Sequence, residues 1–281
     1  MKRPRQSLLT DEFKTAPPEN VPVDTDEGGK FFVTLYNVKR IASIFDAIRD
    51  TSADCNLKFT SSGLDLFAFL ADKTTAVALT LDQTIFAQYK CTADYLVTIS
   101  LEVFAKKMTT MQRFKVDNLS ITSDSSGDLI MKGIQGMNVN EIAINSLSST
   151  VPEFNMVDIK YKAYFSLSTE ILNRYISNMP NTFEICIKKG GLTFIGKEEL
   201  ARTQLSLKLD DSVIASIDPN YHQTFSKQYL QPLLKSCKLF PMVTLGLEND
   251  NPLFARFEIC QQATVGNSSV VDLYFSSRLE D

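Results

Sequence analysis

The sequence predicts an α+β protein that is built from two tandem copies of one domain. Three observations predict this: short strands alternate with longer helical segments, the same order of segments occurs twice, and matched positions in the two halves keep nearly constant spacing. The predicted organisation is an N-terminal tail over residues 1–30, a first domain over 31–147, a connector over 148–160 and a second domain over 161–281.

Residues 1–30 contain few apolar side chains, four prolines and an acidic run, so the composition predicts a flexible tail. The tail begins with Lys2-Arg3-Pro4-Arg5. This is a weak match to a nuclear import signal, and a solvated tail is the favoured interpretation.

The first half predicts two helices, because apolar residues recur at helical spacing in 37–50 and in 100–113. Asn37 is a candidate N-cap of the first helix. Alternating apolar residues between turn residues predict strands at 31–36, 76–81, 85–91 and 141–147, and hairpins over 55–69 and 119–132.

The second half predicts the same order, with a strand at 163–167, helices at 168–179 and 226–238, and hairpins over 183–196 and 243–259. Pro232 lies inside the last helix and is expected to kink or shorten it.

The internal repeat can be counted position by position. Ile41 matches Ile171 at a separation of 130, and the separation then falls to 128, 126 and 124 along the chain. Gly63 and Gly191, for example, are 128 positions apart and lie in the same predicted hairpin of each half. Small loop deletions in one of two duplicated domains produce this orderly decrease, whereas chance matches scatter.

The composition excludes several classes of protein. Of the 281 residues, 44% are hydrophobic and 22% are charged, which excludes collagen-like, low-complexity and mainly disordered chains. No run approaches the ~18 apolar residues of a membrane helix, and the N-terminus lacks the apolar core of a secretory signal. The five cysteines are widely spaced and predict reduced, buried thiols in a cytosolic or nuclear protein. No metal or cofactor is predicted, since there is one histidine, His222, and no close ligand spacing.

The charge is unevenly distributed. The four predicted helices hold ten basic and four acidic residues, whereas the whole chain has 29 basic and 33 acidic residues and a net charge of −4. If the helices share a surface, that surface is positive and suits a polyanion that is contacted at its phosphates with little base reading. Lysine-rich, solvated helix faces are the alternative, and the charge count alone does not decide between them.

Residues 31–281 resemble the sliding clamps of the proliferating cell nuclear antigen family. Three motifs carry the resemblance: the strand–turn–strand Leu57-Lys58-Phe59-Thr60-Ser61-Ser62-Gly63-Leu64, the pair Asp250-Asn251-Pro252-Leu253 and Phe257-Glu258-Ile259, and the C-terminus Leu273-Tyr274-Phe275-Ser276-Ser277-Arg278-Leu279-Glu280-Asp281. Each motif is weak alone, but their order and spacing agree with the two-domain repeat.

The resemblance implies a DNA sliding clamp, the processivity factor of a DNA polymerase. It implies a ring, usually a homotrimer, with helices lining the pore and antiparallel sheets outside, working in the nucleus or at a site of viral DNA replication. Double-stranded DNA would pass through the pore without base-specific contacts. The pore-facing candidates are Lys39, Arg49, Lys106, Lys107, Arg174, Lys227 and Lys235.

The resemblance also implies a hydrophobic groove that takes short peptide motifs of DNA polymerase, the clamp loader and other replication and repair proteins. The groove candidates are Phe69, Thr74, Ala76, Pro152, Phe154, Pro252, Tyr274, Ser276 and Leu279. The alternative is that Phe69, Phe154 and Leu279 are simply core residues. The connector has Pro152, Phe154 and Met156 where the family usually has two smaller aliphatic residues, so the partner motif is expected to differ.

Subunits of this family pair through strand edges, and the candidate edges here are 140–147 and 201–209. An enzyme is not expected, because no glycine-rich phosphate loop is present and His222 has no carboxylate or cysteine at ligand spacing.

The alternative function is a clamp-fold protein that is not a closed homotrimer. This would be a monomeric polymerase accessory subunit that grips DNA electrostatically, or one subunit of a heterotrimeric checkpoint clamp.

Overall fold

The computed structural model describes residues 30–69, 74–148, 159, 161–188, 191–259 and 268–277. The predicted tail, apart from Lys30, and nearly all of the predicted connector lie outside these residues. So do three groove candidates, Pro152, Phe154 and Leu279.

The first repeat follows the predicted order of strands and helices. Its elements are β1 (Phe31–Leu35), α1 (Val38–Ile48), β2 (Asp54–Thr60), β3 (Gly63–Phe69), β4 (Thr75–Asp82), β5 (Gln88–Cys91), β6 (Tyr95–Ser100), α2 (Leu101–Arg113), β7 (Asn118–Ser123), β8 (Leu129–Gln135) and β9 (Asn138–Ile144).

The second repeat has the same plan, except that a short helix takes the place of β5. Its elements are β10 (Ala163–Ser168), α3 (Thr169–Ser177), β11 (Thr182–Lys188), β12 (Gly191–Lys197), β13 (Arg202–Lys208), α4 (Asp211–Ser216), β14 (His222–Ser226), α5 (Gln231–Ser236), β15 (Met242–Leu247), β16 (Leu253–Glu258) and β17 (Val270–Phe275).

The strand order confirms the predicted duplication. The first repeat has the runs β1-β7-β8-β9 and β4-β3-β2-β6, with β5 added outside β1. The second repeat has the equivalent runs β10-β15-β16-β17 and β13-β12-β11-β14. The pairs β2–β3 and β11–β12 are both antiparallel hairpins, as predicted from the matched positions.

The chain divides into two compact units. Unit 1 takes its residues from Met1–Ala68, Ala78–Pro152 and Ile259–Val270, and unit 2 from Phe69–Val77, Glu153–Glu258 and Val271–Asp281. Unit 2 therefore contains the first residues of β4 as well as β15 and β16. The predicted domain boundaries stay predictions.

The helices of the first repeat form where capping and apolar periodicity agree. The Asn37 side chain accepts a hydrogen bond from the Arg40 backbone N–H at 3.1 Å, and Ser100 accepts one from Val103 at 3.4 Å. The apolar faces of α1 and α2 meet in the core, where the Phe45 and Phe104 rings pack edge to face with centroids 4.8 Å apart. Their polar faces consequently point away from the core.

Three local predictions are corrected, and two elements are additional to those predicted. The predicted helix over 226–238 is only six residues long, because β14 continues to Ser226 and Pro232 occupies the first turn of α5. Residue 85 belongs to a 3-10 turn rather than a strand, and β9 ends at Ile144 rather than at 147. Strand β6 and helix α4 are present in the structure, but the sequence analysis does not predict them.

The cysteine prediction holds for three of the four cysteines in the described part of the chain. All four are free, and Cys55, Cys186 and Cys237 are buried, whereas Cys91 is partly exposed. Burial raises the pKa of the Cys237 thiol to about 12, so this thiol stays protonated near neutral pH. Within the described ranges, no helix is long and apolar enough to cross a membrane. The same ranges contain no group of three or more metal-ligating side chains.

The matched glycines at the two hairpins perform the same task. A Cβ on Gly63 would lie 2.1 Å from the Leu81 carbonyl oxygen, and a Cβ on Gly191 would lie 2.5 Å from that of Leu207. In each repeat, a glycine therefore lets the backbone of the next strand approach closely.

We expect Gly63→Ala to lower the free energy of unfolding by roughly 3 kcal/mol, since a backbone carbonyl cannot move aside as a side chain can. The urea midpoint at fixed protein concentration measures this. Gly136→Ala is the control, because Gly136 also has a positive φ, 57°, but no atom within 4 Å of the added Cβ. Equal midpoints for the two variants would contradict the steric explanation.

Candidate nucleic-acid interface and partner groove

Of the basic residues predicted in the first repeat, Lys39 lies on α1, Lys106 and Lys107 lie on α2, and Arg49 begins the 3-10 turn that directly follows α1. Lys39 and Lys106 are exposed, and Arg49 and Lys107 are half-buried. The Arg49 guanidinium is held by Asp46 at 2.7 Å and by Asp50 at 3.4 Å. Lys106 forms an ion pair with Glu102 one helical turn away.

The basic residues predicted in the second repeat have different surroundings. Arg174 is exposed on α3, with its guanidinium 6.0 Å from the Tyr175 ring centroid. The Lys227 ammonium donates hydrogen bonds to the carbonyl oxygens of Ser177 and Met179, so it caps the C-terminal end of α3. Lys235 is half-buried on α5.

The seven predicted residues thus differ in whether a nearby carboxylate or carbonyl group already binds their charged group. Within the described ranges, Lys39, Lys107 and Arg174 form no ion pair, whereas Arg49 and Lys106 are neutralised by neighbouring carboxylates. Unpaired cations with access to solvent attract phosphates over a distance of about one Debye length, ~8–10 Å. These three residues are the strongest candidates for contact with a polyanion.

Six of the nine groove candidates lie in the described part of unit 2: Phe69, Thr74, Ala76, Pro252, Tyr274 and Ser276. The Ser276 N–H donates to the Thr74 carbonyl oxygen at 2.8 Å, which joins the start of β4 to the end of β17. Phe69 is half-buried rather than a core residue, and Ala76 and Tyr274 are also half-buried. The structure therefore brings Thr74 and Ser276 together and leaves apolar side chains partly accessible around them.

Sequence reasoning missed the aromatic residues next to this region. The Phe254 ring lies 5.2 Å from the Tyr274 ring, and Tyr161 stacks on Phe254 at 5.5 Å. The Tyr161 hydroxyl donates to the Pro252 carbonyl oxygen at 2.8 Å. Burial raises the pKa of Tyr161, so its hydroxyl stays protonated and remains a donor. The alternation of Tyr164 with buried residues on β10 is a sequence signal for an outward-facing ring, but it does not identify the neighbours of that ring.

Two sheet-terminal strands correspond to the predicted edges. Strands β9 and β13 end their sheets and are each seven residues long. Apolar side chains on them stay accessible, since Val139 is 55% exposed and Leu205 and Leu207 are half-buried. Met137 and Leu200, in the turns that precede the two strands, are almost fully exposed. Accessible apolar residues beside an unpaired edge indicate an interaction surface.

His222 lies in a small charged cluster on the second repeat. Its Nε2 is 3.4 Å from Glu184, which also accepts a hydrogen bond from the Lys197 ammonium at 2.7 Å. The hydrogen bond from Lys197, and secondarily that from His222, lowers the pKa of the Glu184 carboxyl. The three side chains join neighbouring strands, which is a structural role.

Comparison with known proteins identifies two family models along the chain. The model described as proliferating cell nuclear antigen, N-terminal domain, matches residues 33–157, and the C-terminal domain model matches residues 155–266.

Similar proteins cover nearly the whole chain. The proliferating cell nuclear antigen of Chaetomium thermophilum is 20% identical over 254 residues, which are 86% of this chain and 95% of the relative. Proliferating cell nuclear antigen 1 of Plasmodium falciparum is 23% identical over 238 residues, covering 80% and 87% of the two chains.

Two solved structures have the same fold. The proliferating cellular nuclear antigen of Entamoeba histolytica has a TM-score of 0.73 at 14% identity, covering 89% of this chain and 100% of that chain. A chain of the PCNA2–PCNA3 complex of Sulfolobus tokodaii has a TM-score of 0.71 at 15% identity, covering 88% and 99%.

Proposed function

Because the chain belongs to the proliferating cell nuclear antigen family of DNA sliding clamps, we propose that it closes into a homotrimeric ring around duplex DNA. The family consists of non-enzymatic processivity factors of DNA replication and repair, so the predictions of a two-domain clamp and of no enzymatic activity are confirmed by family membership. The proposal adds the ring, its pore contacts and its peptide groove.

The repeat carries the proposal of a ring. In the strand order, β17 of the second repeat is the neighbour of β4 of the first. The counterpart of β17 in the first repeat is β9, and the counterpart of β4 in the second repeat is β13. Both β9 and β13 lie at the end of a sheet. A β9 edge of one copy that pairs with a β13 edge of the next would reproduce the same type of strand junction between chains. Such a head-to-tail contact between unlike surfaces closes into a ring when the rotation between copies permits it.

The chemistry of the two edges suits pairing between identical chains. Strand β13 presents Arg202 and Lys208 on its exposed face, and β9 presents Glu141. The charges are complementary between β9 and β13 and repulsive between two β13 edges, which favours the head-to-tail arrangement. Each exposed ion pair contributes little energy, so the main contribution is expected from burying apolar residues such as Val139 and Leu205.

We further propose that DNA passes along the helices. The unpaired cations Lys39, Lys107 and Arg174 would face phosphates, and Lys106, Arg49 and Lys235 would add weaker attraction. Lys227 would act mainly by capping α3. Contacts of this kind are loose and mediated by water, which permits sliding.

The same proposal assigns the region around Thr74, Pro252, Tyr274 and Ser276 to short peptide motifs of DNA polymerase, a clamp loader and other replication and repair proteins. Half-buried apolar side chains next to backbone groups suit a short helical turn with aromatic and aliphatic anchors. Phe69 and Ala76, together with Pro152, Phe154 and Leu279, complete the proposed lining. The nucleus is the proposed location.

We expect topological retention on DNA. After loading with the clamp loader and ATP of its own replication system, the protein is expected to stay on a nicked circular plasmid through gel filtration in high salt. Cutting the plasmid with a restriction enzyme is expected to release it, because a ring slides off an end. Salt-dependent release that is the same for circular and linear DNA would contradict encirclement and would support a monomeric subunit that grips DNA electrostatically.

A further inference from the structure

Four aromatic rings form a continuous strip across the sheet of unit 2, and it begins at the proposed groove. Tyr274 of the groove lies 5.2 Å from Phe254, and Phe254 lies 5.5 Å from Tyr161 and 6.0 Å from Tyr164. Tyr161 and Tyr164 pack edge to face at 5.7 Å. We call these four residues the aromatic strip. It crosses β17, β16, β15 and β10.

A glycine makes room for the strip. Gly246 on β15 pairs with Tyr164 on one side and with Phe254 on the other. A Cβ at this position would lie 2.9 Å from Cγ of Tyr161 and 3.1 Å from Cδ1 of Phe254. Because Gly246 has no side chain, the Tyr161 and Phe254 rings can approach β15 closely and stack on one another.

The far end of the aromatic strip is open. Tyr164 is 49% exposed, whereas Tyr161 and Phe254 are 7% and 5% exposed. The Tyr164 hydroxyl accepts a hydrogen bond from the Tyr161 backbone N–H at 3.4 Å. Tyr164 is thus an ordered ring with a free apolar surface, the form in which aromatic residues serve as binding anchors.

Two ion-paired cations flank the open end. The Arg256 guanidinium lies 5.4 Å from the Phe254 ring centroid and binds both oxygens of Asp272 at 2.7 Å. Lys162 forms an ion pair with Glu248 at 3.1 Å. In both pairs the cation is the exposed member: the side chains of Arg256 and Lys162 are 43% and 80% exposed, and those of Asp272 and Glu248 only 9% and 19%. Each cation keeps N–H donors beyond those used in its ion pair.

We propose that the partner peptide held in the groove continues over the aromatic strip with an aromatic and an acidic residue. Its ring packs on Tyr164, and its carboxylate binds Arg256 or Lys162. This inference rests on the proposed groove and adds the chemistry of the partner: an apolar anchor segment followed or preceded by an aromatic–acidic pair. Exposed Glu258, further along β16 beyond Arg256, disfavours acidic residues that extend past this pair.

Synthetic peptides test the proposal by fluorescence anisotropy on the full chain. All share one segment with aliphatic and aromatic anchors. Two peptides carry Asp-Phe, one at the N-terminal end of this segment and one at the C-terminal end. Each has a reference peptide with Ser-Ala at the same end. We expect one of the two Asp-Phe peptides to bind roughly tenfold more tightly than its reference, the gain of one additional aromatic contact with a nearby ion pair.

Variants test whether the aromatic strip provides this gain in affinity. Tyr164→Ser is expected to remove the tenfold gain and to leave the Ser-Ala peptide unaffected, and Lys162→Gln to remove part of it. Ser166→Ala, two residues further on the same face of β10, is the matched control and is expected to change neither affinity.

The outcomes separate the two proposals. If all peptides bind equally to the native protein and to Tyr164→Ser, the groove stands and the extension over the strip is wrong. If no peptide binds, the proposed groove is wrong and the inference falls with it.

Discussion

The native protein is expected to have a solution mass of three subunits, and Leu205→Asp is expected to reduce it to one subunit of 31.5 kDa. Leu205 is half-buried on the edge strand β13 and would become fully buried when a β9 strand pairs beside it. An unpaired carboxylate at that position costs several kcal/mol in each of three interfaces. Light scattering coupled to size exclusion at low micromolar concentration measures the mass.

Two further variants control this prediction. Gln204→Asp places the same charge on the same strand but on its exposed face, and it is expected to keep the trimer. Ile142→Asp on β9 is expected to break the ring from the other side, because Ile142, like Leu205, is half-buried on the inward face of its strand, opposite Val139 and Glu141. A native mass of one subunit would exclude the stable homotrimer and support a monomeric accessory subunit or a subunit of a heterotrimer.

Reversing two charges on the helices is expected to abolish processive DNA synthesis. In Lys39→Glu combined with Lys107→Glu, a cation without an ion pair on each of α1 and α2 becomes an anion in each subunit of the ring. Phosphates are then repelled where they were attracted, and because neither lysine forms an ion pair in the described part of the chain, no neighbouring acid offsets the change. Product length on a primed circular template, with the polymerase and loader of the same replication system, measures the effect.

A variant with the same total charge tests where the charge acts. Lys90→Glu combined with Lys188→Glu changes two exposed lysines on strands instead of helices. This variant is expected to support nearly native product lengths, and the helix variant is expected to remain a trimer. Equal loss in both variants would mean that net charge, rather than the helical surface, governs DNA contact.

Much of the fold could be predicted from the sequence because its signals are local. Asn37 caps α1 and Ser100 caps α2 through side-chain hydrogen bonds to residues three positions away. Alternating apolar residues on both sides of a short turn predict the hairpins. The duplication extends these local signals to the whole chain, and the glycine pair at 63 and 191 shows that matched positions have the same steric task.

The candidate site was less predictable. Counting charges identified basic helices but gave all seven residues equal weight, whereas the structure shows that Lys227 caps α3 and that Arg49 and Lys106 are neutralised by nearby acids. The predicted helix over 226–238 was too long because the end of β14 contains the polar residues that a helix start also favours.

The sequence by itself determined the two-domain repeat, the helices and hairpins, and the concentration of positive charge on helices, because periodicity, capping and turn chemistry act over a few residues. Only the tertiary structure decided which strands end a sheet, which cations stay unpaired and which aromatic rings meet. Tyr161 and Pro252, for example, are 91 positions apart and joined by one hydrogen bond. Contacts of this kind depend on the order of strands in the sheet, and the pattern along any one strand does not specify its neighbour.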